Sequence, residues 1–290
     1  MLGTSFLRYY FSISHIELWF DEMTFFTRLI KAFLSKIIGH KFHLILGDTL
    51  VLDRYFWLLK YLPQTKEKMT LLDVGCGTGA FTLVAASRGY ESVGLSWDER
   101  NQSEAHRTAI NTNLSSMATF EICDIRELDL HAKFKDAFDV CVNFENIEHI
   151  IDDKKLMVDI FNTLKPGGIL VFSTPYYFYK PISRSDQGPF SEEETGGHVR
   201  RGYTKSMLKE LCLVSGFQIE EISGCSGYFS QKITKIYRAL FEISPLLAWI
   251  VILPLRILPV LLDKPIKHLF GSVDYSICML AVKPRFHNGS

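Results

Sequence analysis

The apolar positions along the chain fall into runs of two kinds. Residues 24–40 carry apolar pairs at 25/26, 29/30, 33/34 and 37/38, a four-residue beat that lays one stripe along a helix. Arg28, Lys31 and Lys36 lie off that stripe, and Gly39 stands where such a helix closes. A second helical pattern covers residues 49–62 and is stopped by Pro63. From residue 71 the pattern changes. Short apolar runs of strand length, at 71–75, 91–95, 118–123, 138–143 and 168–173, alternate with helix-like stretches, among them 80–87. A helix over 204–216, ending at Gly216, and strands at 217–222 and 275–283 complete the series. Alternation of this kind predicts a parallel sheet with helices on both faces, and ligands on such sheets bind beyond the carboxyl ends of the strands.

Residues 226–272 do not fit the alternation. Their longest uninterrupted apolar run is 246–253, well short of the roughly 20 residues that span a bilayer. Pro254, Arg256 and Pro259 interrupt the residues beyond it. The segment reads as an apolar lid, a membrane-dipping element or a dimer surface, with Trp249 and Arg256 suited to an interface. The chain thus divides into an N-terminal helical region (1–63), a core (64–225 with 273–284) and an apolar helical insertion or lid (226–272). Residues 283–290 read as a frayed tail.

Composition narrows the function classes. Lys plus Arg equals Asp plus Glu at 32 each, so the basic excess that accompanies nucleic-acid binding is missing. Six cysteines, at 76, 123, 141, 212, 225 and 278, form no C-x-x-C pair and fall mostly in apolar runs, as buried free thiols in a reducing compartment do. Residues 1–21 include His15, Glu17 and Asp21 and show no small-residue cleavage site. The expected location is the cytoplasm, at the inner face of the membrane if the apolar additions meet lipid.

The chemistry centres on Asp73-Val74-Gly75-Cys76-Gly77-Thr78-Gly79, between the first strand of the alternating series and the helix over 80–87. Glycines at alternate positions admit dihedrals that a side chain forbids and allow close approach to the backbone. The free N–H groups opening the next helix favour a negative group. The spacing is neither the dinucleotide fingerprint nor a P-loop. It resembles the first motif of class I S-adenosylmethionine-dependent methyltransferases. That resemblance implies a doubly wound, Rossmann-like α/β fold with a seven-stranded mixed sheet, here with N-terminal helices and a helical insertion before the last strand. It implies that Asp73 helps hold the methionine amino group while Gly75, Gly77 and Gly79 pass under the ligand. The segment Leu164-Lys165-Pro166-Gly167-Gly168 resembles the family's turn before the fifth strand, so matching motifs run from about residue 71 to 175.

Further site residues follow from the same resemblance. The family usually places an acid at the end of the second strand for the ribose hydroxyls; Ser96 stands there, with Asp98 two residues on and Trp97 offering a flat surface for adenine. Asp124, after the third strand, resembles the acid that accepts from the adenine amino group. Ile125 and Asn143 are placed among the cofactor contacts, and Arg54 or Tyr55, on the helix before the first strand, is expected at the cofactor carboxylate.

The string Glu145-Asn146-Ile147-Glu148-His149 follows the fourth strand. On a helix, Glu145 and His149 stand one turn apart with Glu148 beside them. Glu145, Glu148, His149 and a later His198 are candidate ligands of a divalent metal, and His149 and His198 are candidate general bases. The string resembles ubiquinone-pathway O-methyltransferases and small-RNA 2′-O-methyltransferases. Residues 176–200 form a long loop in which Tyr176, Tyr177, Phe178 and Tyr179 are expected to line a pocket. The reading is an S-adenosylmethionine-dependent O-methyltransferase of a small or lipid-linked acceptor, with no nucleic acid expected. Peripheral membrane contact or a homodimer through 226–272 is the expected association. RNA 2′-O-methylation and an inactive cofactor-binding scaffold are the rival readings.

Overall fold

The fold was obtained as a computed structural model. It describes residues 47–182, 185–194 and 196–285, together with Phe33, Ile37 and Gly39–Lys41. The expected helix over 24–40, with Arg28, Lys31 and Lys36, lies outside the described residues apart from those few positions.

Asp48 caps the helix α1 (Thr49–Tyr61) by accepting from the Val51 N–H at 3.1 Å. The alternating series comes next: β1 (Met69–Val74), α2 (Ala80–Ser87), β2 (Tyr90–Ser96), α3 (Glu99–Asn111), β3 (Ala118–Ile122), β4 (Phe138–Phe144), α4 (Asp153–Thr163) and β5 (Leu164–Pro175). Then come α5 (Lys205–Val214), β6 (Gln218–Cys225), α6 (Tyr228–Ile243), α7 (Pro245–Leu255), α8 (Ile257–Phe270) and β7 (Ser276–Val282). All seven expected strands form. β5 starts four residues earlier than its apolar run because Leu164 already pairs with Phe138, before a register shift around the Pro-Gly-Gly turn.

The seven strands lie in the order β3-β2-β1-β4-β5-β7-β6, parallel except for β7, which runs against both β5 and β6. The order reverses between β1 and β4, and the crevice beyond that point is where an open α/β sheet receives its ligand. Both faces are covered. One core packs Leu72, Phe138, Leu170 and Phe172 against Leu156, Ile160, Leu208 and Leu211 of α4 and α5. The other packs Leu71, Val142 and Val171 against Trp57 and Leu58 of α1 and Val84 of α2. The six cysteines are free, five of them buried and Cys225 half-buried.

α6, α7 and α8 fill the connection from β6 to β7. Ser244 ends α6 and caps α7, where Pro245 takes the first turn. α7 and α8 are bent by 55° around Arg256, and among the described residues no single helix is long and apolar enough to cross a membrane. Two expectations about this insertion change. Trp249 and Arg256, read from the sequence as interface residues, are 5% and 8% exposed. Trp249 packs with Ile233 and Tyr237 of α6, and the Arg256 guanidinium donates to the Gly47 carbonyl. They turn inward because the face of α7 that carries Ala248, Trp249 and Ile252 is the one that meets α6.

Candidate active site

The turn after β1 is pinned before any ligand arrives. The Gly75 and Cys76 N–H groups both donate to the Leu95 carbonyl of β2, at 3.0 and 2.8 Å. The three glycines take φ of +81°, +53° and +79°, but for different reasons. A Cβ on Gly75 falls 2.3 Å from the Asn146 side chain, and one on Gly79 falls 2.5 Å from Phe120. Gly77 has no atom within 4 Å of that position. The backbone turn requires glycine at all three; at Gly75 and Gly79 a side chain would also clash, whereas Gly77 leaves open space above it. The Asn146 amide clamps the turn from β4, donating to the carbonyls of Gly75 and Phe144 at 3.0 Å. Asn143 donates to the Val74 carbonyl at 2.9 Å, and its Oδ1 is buried with no partner among the described residues.

Asp73 is 2% exposed, and the Thr82 hydroxyl donates to its carboxylate at 2.7 Å. Burial pushes the Asp73 pKa up to about 7, and the Thr82 bond opposes that rise. Asp73, Gly75, Cys76, Gly77 and Thr78 form the floor of a cavity of about 380 Å³. Its walls come from Val51 of α1, Phe81 of α2 and Phe144 of β4, and its roof from Tyr237, Phe241 and Trp249 of α6 and α7. The insertion thus lies on the ligand side of the sheet. The sequence reading missed Thr82, Asn146 and the aromatic roof. Thr82, three residues after Gly79 and one turn into α2, carried a local signal; nothing local announced Tyr237 or Trp249.

The residues expected around ribose and adenine do not line this cavity. Ser96 is buried, and its hydroxyl accepts from the Asp98 N–H at 3.3 Å. The Asp98 carboxylate caps α3, accepting from the Arg100 and Asn101 N–H groups at 2.8 and 3.2 Å, so it is already committed locally. The Trp97 ring is 66% exposed. Asp124 caps the 3-10 turn Ile125–Leu130 and is gripped by Arg126, whose Nε donates to it at 2.8 Å. That grip lowers the Asp124 pKa, and Arg126 reaches on to Glu194 at 2.7 Å. An adenine contact at Asp124 therefore competes with Arg126. Ile125 packs in the core. Gln102 braces this edge, donating to the Glu121 carbonyl at 2.6 Å.

The acidic string after β4 is not helical, which changes the expected metal set. Glu145 takes a left-handed φ of +52°, and Ile147–His149 then form a single 3-10 turn. This backbone sends the two acids to different places. Glu145 turns back to Arg54, Oε1 to Nε 3.5 Å, and accepts from the Ser173 hydroxyl at 2.9 Å. Arg54, expected at the cofactor carboxylate, is instead buried in this ion pair. Burial works to lower its pKa, but Glu145 and then Asp48 raise it further, and the net shift is upward.

Glu148 is 1% exposed, accepts from the Thr174 hydroxyl at 3.2 Å, and faces His149 and His198. One potential donor atom from each of the three residues lies within 4.8 Å of the others. His149 Nδ1 lies 3.0 Å from the Gly197 carbonyl. A carbonyl only accepts, so that nitrogen carries a proton, and Nε2 stands 3.9 Å from Glu148 Oε1. The two imidazoles meet edge to face at 4.6 Å between centroids. His198 Nδ1 is buried without a hydrogen-bond partner among the described residues. Burial, then the neighbouring His149, lower the His198 pKa. Burial, then Glu145, push the Glu148 pKa well above the carboxylate range. The buried carboxyl of Glu148 and the facing imidazoles of His149 and His198 are donor types that fit a divalent cation.

The aromatic run after β5 divides. Tyr177 and Phe178 are 43% and 58% exposed, while Tyr179 is buried against Tyr275 and donates to the Asp186 carbonyl at 2.7 Å. Tyr179 is thus a core residue and not part of a pocket wall.

Residues 53–222 match the sequence model of a methyltransferase domain. A probable S-adenosylmethionine-dependent methyltransferase of Mycolicibacterium smegmatis is 29% identical over 157 residues, covering 53% of this chain and 54% of that protein. A ubiquinone biosynthesis O-methyltransferase of Psychrobacter arcticus is 32% identical over 104 residues, covering 36% of this chain and 40% of its own length. The chain thus spans about half, or less, of the length of these relatives. Among solved structures, phosphoethanolamine N-methyltransferase 2 of Haemonchus contortus superposes with a TM-score of 0.59 at 20% identity, covering 87% of this chain and 59% of that one. The [4+2]-cyclase SpnF superposes at 0.56 and 20% identity, covering 81% and 82%. A cyclase and a methyltransferase on one fold leave the reaction to be argued from the site.

Proposed function

The chain belongs to the class I S-adenosylmethionine-dependent methyltransferases, and from that premise we propose that it methylates an oxygen of a small or lipid-linked acceptor. The observation that carries this reading is one edge of the sheet bearing both features. The glycine-floored cavity and the Glu148–His149–His198 group both stand at the carboxyl ends of the central strands. The similarity to ubiquinone biosynthesis O-methyltransferases supports oxygen as the acceptor atom.

The cavity fits the methionine end of the cofactor. Asp73 is held half-ready: buried with the Thr82 hydroxyl but no cationic partner, its carboxyl has a pKa of about 7, and an incoming ammonium group draws it to the charged form. The space above Gly77 admits a ligand against the backbone. Bound S-adenosylmethionine supplies an electrophilic methyl group on a positively charged sulfur. The chain contributes orientation and proton removal. His198, kept neutral by burial, accepts the proton of the acceptor hydroxyl as the oxygen attacks. Tyr237, Phe241 and Trp249 give the cavity an aromatic roof on the side opposite the glycine turn.

One observation favours a second form of the same site. Glu148, His149 and His198 converge tightly enough to hold a divalent cation, which supplies acidification of a bound hydroxyl. A single series tests both forms. Purified protein is incubated with labelled S-adenosylmethionine and fractionated extract, and the labelled product is identified by mass spectrometry. O-methyl product from wild type and none from His198→Ala supports the site. Loss of turnover on chelation, restored by Mg²⁺ or Mn²⁺, selects the cation form; turnover untouched by chelation selects the base form. Label on nitrogen or carbon overturns the acceptor assignment.

A further inference from the structure

α7 is apolar on both sides. Ala248, Trp249 and Ile252 face α6 and the cavity roof, while Leu246, Ile250 and Leu253 on its other side stand 43–62% exposed. The exposed stripe continues past the 55° bend onto α8 through Ile257, Val260 and Leu261, at 55–61%. A helix apolar all round belongs where neither face meets water. A contiguous exposed apolar surface of this extent marks an interaction site.

The charge around the stripe identifies its partner. The whole chain balances 32 basic against 32 acidic residues, yet residues 226–272 hold six Lys or Arg and two Asp or Glu. Of the six, Arg256 is buried, Arg238 pairs with Asp48 and Lys267 with Asp274, which leaves Lys232, Lys235 and Lys264 exposed on α6 and α8, the helices that flank and extend α7. An exposed apolar face with free lysines on its own and the adjoining helix is complementary to an anionic lipid surface, where the apolar side chains enter the headgroup boundary and the ammonium groups meet phosphate. A protein partner gains nothing from this arrangement of charge unless it is itself acidic.

We propose that α7 and α8 dock this protein on an anionic phospholipid surface, with Ile250, Leu253, Val260 and their neighbours inserted. α7 then has lipid on one face and the cavity roof on the other, so docking and access to the cavity share one helix. The docking is independent of which atom the enzyme methylates.

The test is flotation of the full chain with vesicles of phosphatidylcholine alone or mixed with phosphatidylserine. Cofactor affinity by calorimetry serves as the control for folding. Wild type is expected to float with the mixed vesicles and much less with the neutral ones. Ile250→Glu/Leu253→Glu/Val260→Glu is expected to stay at the bottom while binding cofactor as wild type does. Lys232→Gln/Lys264→Gln is expected to bind vesicles about 25-fold more weakly, at about fivefold per lysine. Three results overturn the proposal. Wild type remains soluble with both vesicle types at the monomer mass, which leaves the face covered by the chain itself. Wild type is a dimer that the triple Glu variant dissociates, with no flotation, which makes the face a subunit contact. The triple Glu variant floats as well as wild type, which puts any lipid contact elsewhere.

Discussion

Arg54→Met separates what the sequence implied for this arginine from what the fold does with it. Arg54 and Glu145 form an ion pair with side chains 11% and 15% exposed. Removing one member of such a pair costs about 3–5 kcal/mol, because the other is left charged in a poor solvent. The Ser173 hydroxyl remains to hydrogen-bond the carboxyl, and methionine fills most of the vacated volume, so the expected loss at pH 7 is at the low end, about 3 kcal/mol. Urea unfolding of both proteins at pH 7 measures this, with cofactor affinity by calorimetry measured alongside. The reasoning fails if Arg54→Met unfolds at the wild-type midpoint at pH 7. It also fails if stability is unchanged and affinity drops tenfold or more, the behaviour of an arginine that holds the cofactor carboxylate.

Other expectations follow from the same geometry. Gly77→Ala should cost only about 1 kcal/mol of stability for its left-handed backbone, since its Cβ meets nothing, yet should weaken cofactor binding at least tenfold by occupying the space above the turn; thermal melts and calorimetry give the two numbers, and unchanged affinity sinks the role given to that space. Asp73 and Asp53 both have pKa values raised from 3.8 to about 7, chiefly by burial, so each contributes stability that is complete below pH 4 and lost as pH rises through 7. The cofactor-free protein should therefore weaken across that window, by about 4 kcal/mol for Asp73 at full effect, and Asp73→Asn should flatten the slope by one carboxyl; parallel stability–pH curves would falsify this.

The sequence by itself determined the scaffold. Leu71 to Val74, the Gly75-Cys76-Gly77 turn and Ala80 to Ser87 form a strand, a turn and a helix for local reasons: side-chain periodicity and the dihedral freedom of glycine. The same kind of signal located the other six strands and the insertion. Alternation predicts a parallel sheet, and ligands on such sheets bind beyond the strands' carboxyl ends, so the position of the site at that edge was legible too; the antiparallel last strand was implied only by the family resemblance.

The fate of each acid was not legible. Asp98 and Asp124 are taken by the N–H groups at the starts of the turns they open, and Asp124 by Arg126 as well. These are short-range competitions, decided by turn geometry that residue type alone leaves open. Glu145 and Glu148 looked equivalent on paper. A left-handed φ at Glu145 followed by a 3-10 turn sends one to Arg54 on α1 and the other to His198 in a loop after β5. The roof residues Tyr237 and Trp249 read only as apolar helix positions, and their place above the glycine turn depends on how α6 and α7 pack against α1 and each other. Apolar burial says that a face is covered but not by what, and an ionisable group acquires its role only when a partner from another part of the chain is brought within a few ångströms. Those partnerships exist only once the sheet has closed and the insertion has folded over its edge.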